Sequence, residues 1–217
     1  MQHAYGLQVP ESLDEVCDPH RLALIVYDMQ VGILSQIADA AGLTAKVAEV
    51  VRAARTAGVR VLFSRHMSLP KELMGVFQLR MAMAWQRVST VDDVRSKFLR
   101  DSPGFRLLPE LTPLPSEAVF DKITMSAFEG TPLDIILRDC GINAFLIAGV
   151  ATEVGIEPTV RHGADLGYIP IVVTDACAAG HAEAAARSLA ALRYAGDALF
   201  TDVTEISEVL RKRAAGV

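Results

Sequence analysis

Cysteine is scarce in this 217-residue chain: Cys17, Cys140 and Cys177 stand far apart and form no C-x-x-C pair. An odd count at such spacing argues against a disulfide framework and a structural zinc site, and buried or idle thiols are the default expectation. Positive charge is never concentrated. Lys and Arg number 21 against 26 acidic residues, the net charge is −5, and the longest basic run is Arg211-Lys212-Arg213. Neither a nucleic-acid groove nor a membrane surface patch is expected. Long hydrophobic runs are also missing, although mean hydropathy is positive. The stretches 22–27 and 144–150 are strand-sized, far short of the roughly 18–20 residues that span a bilayer. Residues 1–10 hold no charged segment leading into an apolar one, so no signal peptide is read and a cytoplasmic location is expected. No repeat, low-complexity tract or Pro/Gly/Ser linker divides the chain, so one domain is expected over residues 1–217, with 1–20 as an N-terminal arm.

What is present is core material: 51% of the residues are apolar. Short β-rich runs alternate with segments of helical period, the pattern of an α/β domain with a largely parallel sheet. Six strands are read, at residues 22–27, 59–63, 117–121, 144–149, 169–174 and 197–201; several are continuous apolar runs because helices would cover both sheet faces. Val47, Val50, Val51 and Ala54 mark a crossover helix closed by Gly58. Leu133, Ile136, Leu137 and Cys140 mark another before Gly141, with Cys140 on its buried stripe. Later helices follow Ala185, Leu189 and Leu192, then Ile206, Val209 and Leu210. The connection 64–116 is too long for a plain crossover and carries its own helical stretch around 71–87. Such an excursion covers a site or builds a subunit contact.

In open parallel sheets, ligands bind beyond the carboxyl ends of the strands, where strand order reverses. Asp28 follows the first strand, Lys122 follows the third, and the loop Val150-Ala151-Thr152-Glu153-Val154-Gly155 follows the fourth and leads into a helix. A carboxylate and an ammonium in a partly dry cleft make a proton-transfer pair, and backbone N–H groups before a helix can face a developing anion. An Asp that merely caps a turn or pairs with a surface Arg is the bland alternative.

Three segments carry a resemblance: YDMQ at 27–30, DKITMSAFEGTPLD at 121–134, and GVATEVGIEPT at 149–159, followed by GYIPIVVTDA. In this order and these strand contexts they resemble the isochorismatase-like hydrolase superfamily of nicotinamidases, N-carbamoylsarcosine amidases and isochorismatases. The resemblance runs from about Leu22 to the C-terminal helix. It implies a three-layer α/β/α fold with a six-stranded parallel sheet in the order 3-2-1-4-5-6, and an Asp, a Lys and a Cys acting together. The family's Asp matches Asp28 and its Lys matches Lys122. Its amidase-branch Cys, four residues after Ala151, falls on Gly155, where a glycine offers no atom for nucleophilic attack. The same resemblance implies a cis peptide before Ala151, whose N–H would help form an oxyanion hole. In the isochorismatase branch, which also works without that Cys, the Asp protonates an enol ether carbon so that water can attack. That branch tends to carry an aromatic residue where this chain has Ala151.

The expectation is therefore a small-molecule hydrolase without a Cys nucleophile, acid-catalysed through Asp28 and Lys122, with Ala151 and Gly155 supplying N–H groups to an anion. A retired member that binds a small carboxylate or amide, or an amidase using Cys177, are the alternatives. By family similarity Phe128 would line the crevice, with a plain core aromatic as the other reading. Gln78, Arg80, Trp85 and Arg87 lie in the excursion, where an Arg could clamp a carboxylate; a solvated face with Trp85 buried is the other reading. Arg65-His66 stands where nicotinamidases begin an Asp-x-His metal cluster, but the Asp is absent and His3, His20, His162 and His181 show no ligand spacing. No metal and no cofactor are expected. The apolar stretch 74–85 points to a homo-oligomer.

Overall fold

A computed structural model describes residues 1–215; Gly216 and Val217 of the expected single domain lie outside the described residues. In chain order the strands are β1 (Gln2–Ala4), β2 (Leu7–Val9), β3 (Leu22–Tyr27), β4 (Arg60–His66), β5 (Ala118–Lys122), β6 (Ala144–Val150), β7 (Ile169–Ala178) and β8 (Leu199–Thr201). The helices are α1 (Leu13–Val16), α2 (Val31–Leu34), α3 (Ala40–Thr56), α4 (Val76–Gln86), α5 (Leu133–Asp139), α6 (Glu157–Asp165), α7 (Ala182–Ala195) and α8 (Val203–Ala214). Six strands form one sheet in the order β5-β4-β3-β6-β7-β8, every pairing parallel. This is the expected order and the expected three-layer α/β/α fold.

Alternation along β3 divides the core. Leu22, Leu24 and Val26 pack against Val47, Val50, Val51 and Ala54 of α3 and against Val203, Ile206 and Leu210 of α8. Ala23, Ile25 and Tyr27 face the other layer, with Leu133 and Leu137 of α5, Val160 of α6 and Leu192 of α7. Both faces are covered, so β3 and β6 are buried along their whole length. Asp39 and Asp202 cap α3 and α8 by accepting from the N–H groups of Gly42 and Glu205.

Several boundaries differ from the sequence reading. The second sheet strand runs to His66 rather than Phe63, because Arg65 and His66 pair with Asp121 and Lys122 of β5 after the apolar run has ended. The fifth runs to Ala178 rather than Thr174, because a register shift lets Cys177 and Ala178 pair with Gly149 and Val150. Asp197 lies outside β8. The N-terminal arm carries an antiparallel ribbon, β1 with β2, that turns at Tyr5-Gly6 in left-handed backbone. In the excursion, the stretch expected to be helical at 71–87 splits into a 3₁₀ turn at Lys71–Leu73 and helix α4. Trp85 is 53% exposed, against the reading that buried it. Cys140 caps α5 and is only partly buried.

Candidate active site

Strand order reverses between β3, which continues to β4 on one side, and β6, which continues to β7 on the other. The carboxyl ends of these two central strands meet at Tyr27 and Gly149, which pair in register. Gly149 has φ 137°, and an added Cβ would overlap the Tyr27 carbonyl, so only glycine admits the close approach.

Asp28 leaves β3 in left-handed backbone, φ 50°. That conformation is disfavoured for a residue with a side chain and needs support from its surroundings. Ser64 supplies it. Its Oγ accepts from the Asp28 N–H (3.2 Å) and donates to Asp28 Oδ1 (2.7 Å). Lys122, at the end of β5, donates from Nζ to Asp28 Oδ2 (2.7 Å) and to the Thr124 carbonyl (3.2 Å). Strand β4 lies between β3 and β5, so the long lysine reaches past the small Ser64 to meet its partner. Asp28 is 4% and Lys122 3% exposed. An ion pair this dry depends on geometry and on further hydrogen bonds, and both are present. Each of the two Asp28 side-chain oxygens has a hydrogen-bond partner, Ser64 for Oδ1 and Lys122 for Oδ2.

Gln30 fixes the neighbouring wall. Its Nε2 donates to the carbonyls of His66 and Phe105 (3.0 Å each), and its Oε1 accepts from the His66 N–H (2.6 Å). His66 is thereby held at the cavity wall, its ring edge-on to Phe98 with centroids 5.9 Å apart. Burial pushes its imidazole down to about 4, with Asp28 opposing and Lys122 assisting, so it stands neutral.

After β6 the Val150-Ala151 peptide is cis, and Thr152–Ile156 forms a π-helical turn into α6. The N–H groups of Val154, Gly155 and Ile156 converge on the Ala151 carbonyl at 3.3, 3.0 and 3.2 Å. The Gly155 N–H is therefore committed inside the turn, against the expectation that it faces an anion. Gly155 itself is buried. A Cβ built on it would overlap the hydroxyl and Cζ of Tyr27 and lie 2.5 Å from Cε1. Tyr27 fills the direction in which a side chain at 155 would point. Glu153 beside it accepts from the His181 N–H (2.6 Å) through Oε1, while its buried Oε2 has no partner among the described residues.

Tyr27, Asp28, His66, Lys122, Ala151, Glu153 and Gly155 lie on the wall of one cavity of about 640 Å³. The excursion supplies much of the rest: Met67, Met74, Met81, Trp85 and Phe98 give an apolar, adaptable lining. Gln78, Arg87, Arg95 and Lys97 give polar groups, and none of these three cations is paired with a carboxylate among the described residues. Of the residues singled out by sequence, Asp28, Lys122, Ala151, Gly155, Gln78 and Arg87 share this cavity. Arg80 is exposed outside it. Phe128 is also outside: it is packed against Phe145, His162 and Tyr168 at 5.6–5.7 Å between centroids, the core reading rather than the lining one. Cys177 pairs within the sheet and turns its Sγ onto the Ile147 carbonyl (3.6 Å), with burial pushing the thiol up to about 12. It is not among the residues lining the cavity. No cluster of three or more His, Cys, Asp or Glu suited to a metal occurs among the described residues.

Sequence reasoning missed Tyr27, Ser64 and the site position of His66. Tyr27 reads as the last apolar residue of a strand and Ser64 as the first residue of a loop. The only available signal was a polar residue at the end of a central strand.

The isochorismatase-domain family matches residues 22–208, and the chain belongs to that family. It is an isochorismatase-like hydrolase. It is 31% identical over 180 residues to ureidoacrylate amidohydrolase RutB of Pantoea ananatis (strain LMG 20103), covering 73% of this chain and 69% of that protein. Among solved structures it resembles a cysteine hydrolase from Pseudomonas syringae pv. phaseolicola 1448A, with TM-score 0.77 and 25% identity over 90% of this chain and 94% of that one. An isochorismatase family protein from Burkholderia thailandensis gives TM-score 0.71 and 26% identity over 88% and 96%. N-carbamoylsarcosine amidase from Thermoplasma acidophilum, at TM-score 0.69 and 21% identity over 84% and 96%, shares the fold.

Proposed function

We propose that this hydrolase cleaves a small anionic substrate with water as the nucleophile and no covalent enzyme intermediate. The observation that carries this is Tyr27, whose ring and hydroxyl take the space a nucleophilic side chain at 155 would need. Asp28 is the proton-transfer group and Lys122 its charge partner. In the resting site the carboxylate accepts from Lys122 and Ser64, so the cycle opens with Asp28 taking a proton from water as the water oxygen bonds to a carbonyl carbon. The carbonyl electron pair moves onto its oxygen, towards the Ala151 N–H. Collapse expels the leaving nitrogen or oxygen, which takes the proton back from Asp28. Arg87 and Gln78 hold the substrate's anionic end, and the Met-rich wall takes its apolar body. An amide or ureido acid suits this order of steps, in keeping with the RutB likeness.

The second reading is acid catalysis on an enol ether, favoured by the 2.7 Å contact through which Lys122 can pass a proton to Asp28. Residues 1–217 then act as one cytoplasmic unit in a homo-oligomer, with 64–116 covering the site. The test is turnover against isochorismate, other enol ethers, ureido acids and amides, with rapid-quench intact mass. Product should form without an enzyme adduct and despite iodoacetamide, and Asp28→Asn should lose roughly 10²–10⁴-fold in rate. Base catalysis makes the rate rise with pH through the essential ionisation, and acid catalysis makes it fall. Equal rates for wild type and Asp28→Asn would overturn the proposal; ligand-dependent melting shifts with no turnover would identify a binding protein.

A further inference from the structure

One large side chain at the floor of the site takes no chemical step above. Tyr27 is buried, 2% exposed, and the face of its ring lies 4.3 Å from the Lys122 ammonium. We infer that Tyr27 is a positioning residue for Lys122 and that Gly155 is the space that admits it, so the two positions form one mutually dependent unit. The inference goes beyond the hydrolytic reading and does not depend on it.

Three observations carry it. A buried ammonium needs a partner for each of its three N–H bonds. Lys122 finds Asp28 Oδ2 and the Thr124 carbonyl, and the electron-rich ring face takes the place water would have on its remaining side. The Tyr27 hydroxyl donates to the Met125 carbonyl, next to the Thr124 carbonyl that Lys122 uses, so the same side chain pins the loop that carries the lysine's second acceptor. The Gly155 backbone cannot retreat. Its carbonyl accepts from Thr159 Oγ1 (2.7 Å), which in turn accepts from the Ala127 N–H (3.0 Å), and its N–H is fixed on Ala151. Any side chain at 155 must therefore displace the ring from the position it holds beside Lys122. Burial, and to a lesser degree the Asp28 charge, keep the phenol well above its ordinary value, so it acts as a neutral donor.

The test needs no substrate. Gly155→Ala is introduced into wild type, Tyr27→Phe and Tyr27→Leu, with Tyr27→Met as a second ring-free background should the Leu variant not fold. The Ala substitution should lower Tm by roughly 2–10 °C in the Tyr and Phe backgrounds, where the ring blocks it, and leave Tm unchanged in the Leu or Met background. An equal loss in every background would overturn the pairing. Positioning is read from acetic anhydride labelling of Lys122 against pH, followed by peptide mass spectrometry. The labelling midpoint should move to lower pH in Tyr27→Leu and in Gly155→Ala and stay in place in Tyr27→Phe, which keeps the ring. Shielding alone would change the amplitude and not the midpoint. A midpoint common to all variants would overturn the role assigned to Tyr27. Both readouts stand even where no turnover is found, so failure of the hydrolytic reading is told apart from failure of this one.

Discussion

Ser64 sets how Asp28 meets Lys122. It is fully buried, its hydroxyl both accepts from the Asp28 N–H and donates to Oδ1, and its small size lets the lysine pass. Ser64→Ala keeps the space and removes both hydrogen bonds, leaving a left-handed Asp28 with an unpaired N–H. Leaving a buried polar group unsatisfied costs about 1–3 kcal/mol, so urea denaturation should show a loss of that size. A loss below about 0.5 kcal/mol, the usual range for surface substitutions, would mean that Ser64 does not hold Asp28. At this scale the meeting of Asp28 and Lys122 was legible because each follows an apolar strand whose carboxyl end opens on the same crevice and each falls in one of the family-like segments. Tyr27 was not, since nothing in the one-dimensional pattern says that its ring turns under the loop after β6. Phe128 was misplaced for a related reason: an aromatic beside a motif lysine reads as lining until its ring neighbours are known.

Central strands were readable as elements because burial on both faces makes them apolar without interruption; their ends were not, because pairing continues through polar residues such as Arg65 and His66. Helix α4 escapes the usual periodicity, since it buries no residue and has no single apolar face within the chain. Leu73 is 67%, Val76 79% and Phe77 72% exposed along the same excursion. Exposed apolar surface of this kind marks a contact with another molecule, and a second copy is the proposed occupant. Light scattering of the wild type should return a multiple of the 23.4 kDa chain mass, and Val76→Ser/Phe77→Ser should return the monomer mass. Because the excursion also lines the cavity, dissociation should raise KM. A wild type that scatters as a monomer at micromolar concentration would sink the assignment.

Across the whole molecule, two proton-binding imbalances shape the acid side of the stability curve. His66 takes a proton near 6.5 in the unfolded chain and, because of burial, only near 4 in the folded one. Between those values the unfolded state binds more protons, so stability falls as pH drops through that window and is flat above it. Glu117 adds a second loss at lower pH. Burial raises it, but its pair with Arg55 and the Leu114 N–H outweigh that and hold the carboxyl below its ordinary 4.5. Stability from Glu117 is thus present above 4.5 and lost as pH falls through its lowered value. Melting temperatures taken from pH 8 to pH 4 should stay level to about 6.5 and then decline. His66→Gln, which cannot take up the proton, should remove the decline between 6.5 and 4.5 and leave the part due to Glu117; Glu117→Gln should do the converse at the cost of a lower Tm at neutral pH. A decline of the same slope in His66→Gln would mean that His66 is not the group that makes the fold acid-sensitive near neutrality, and that its ring is freely solvated in the cavity.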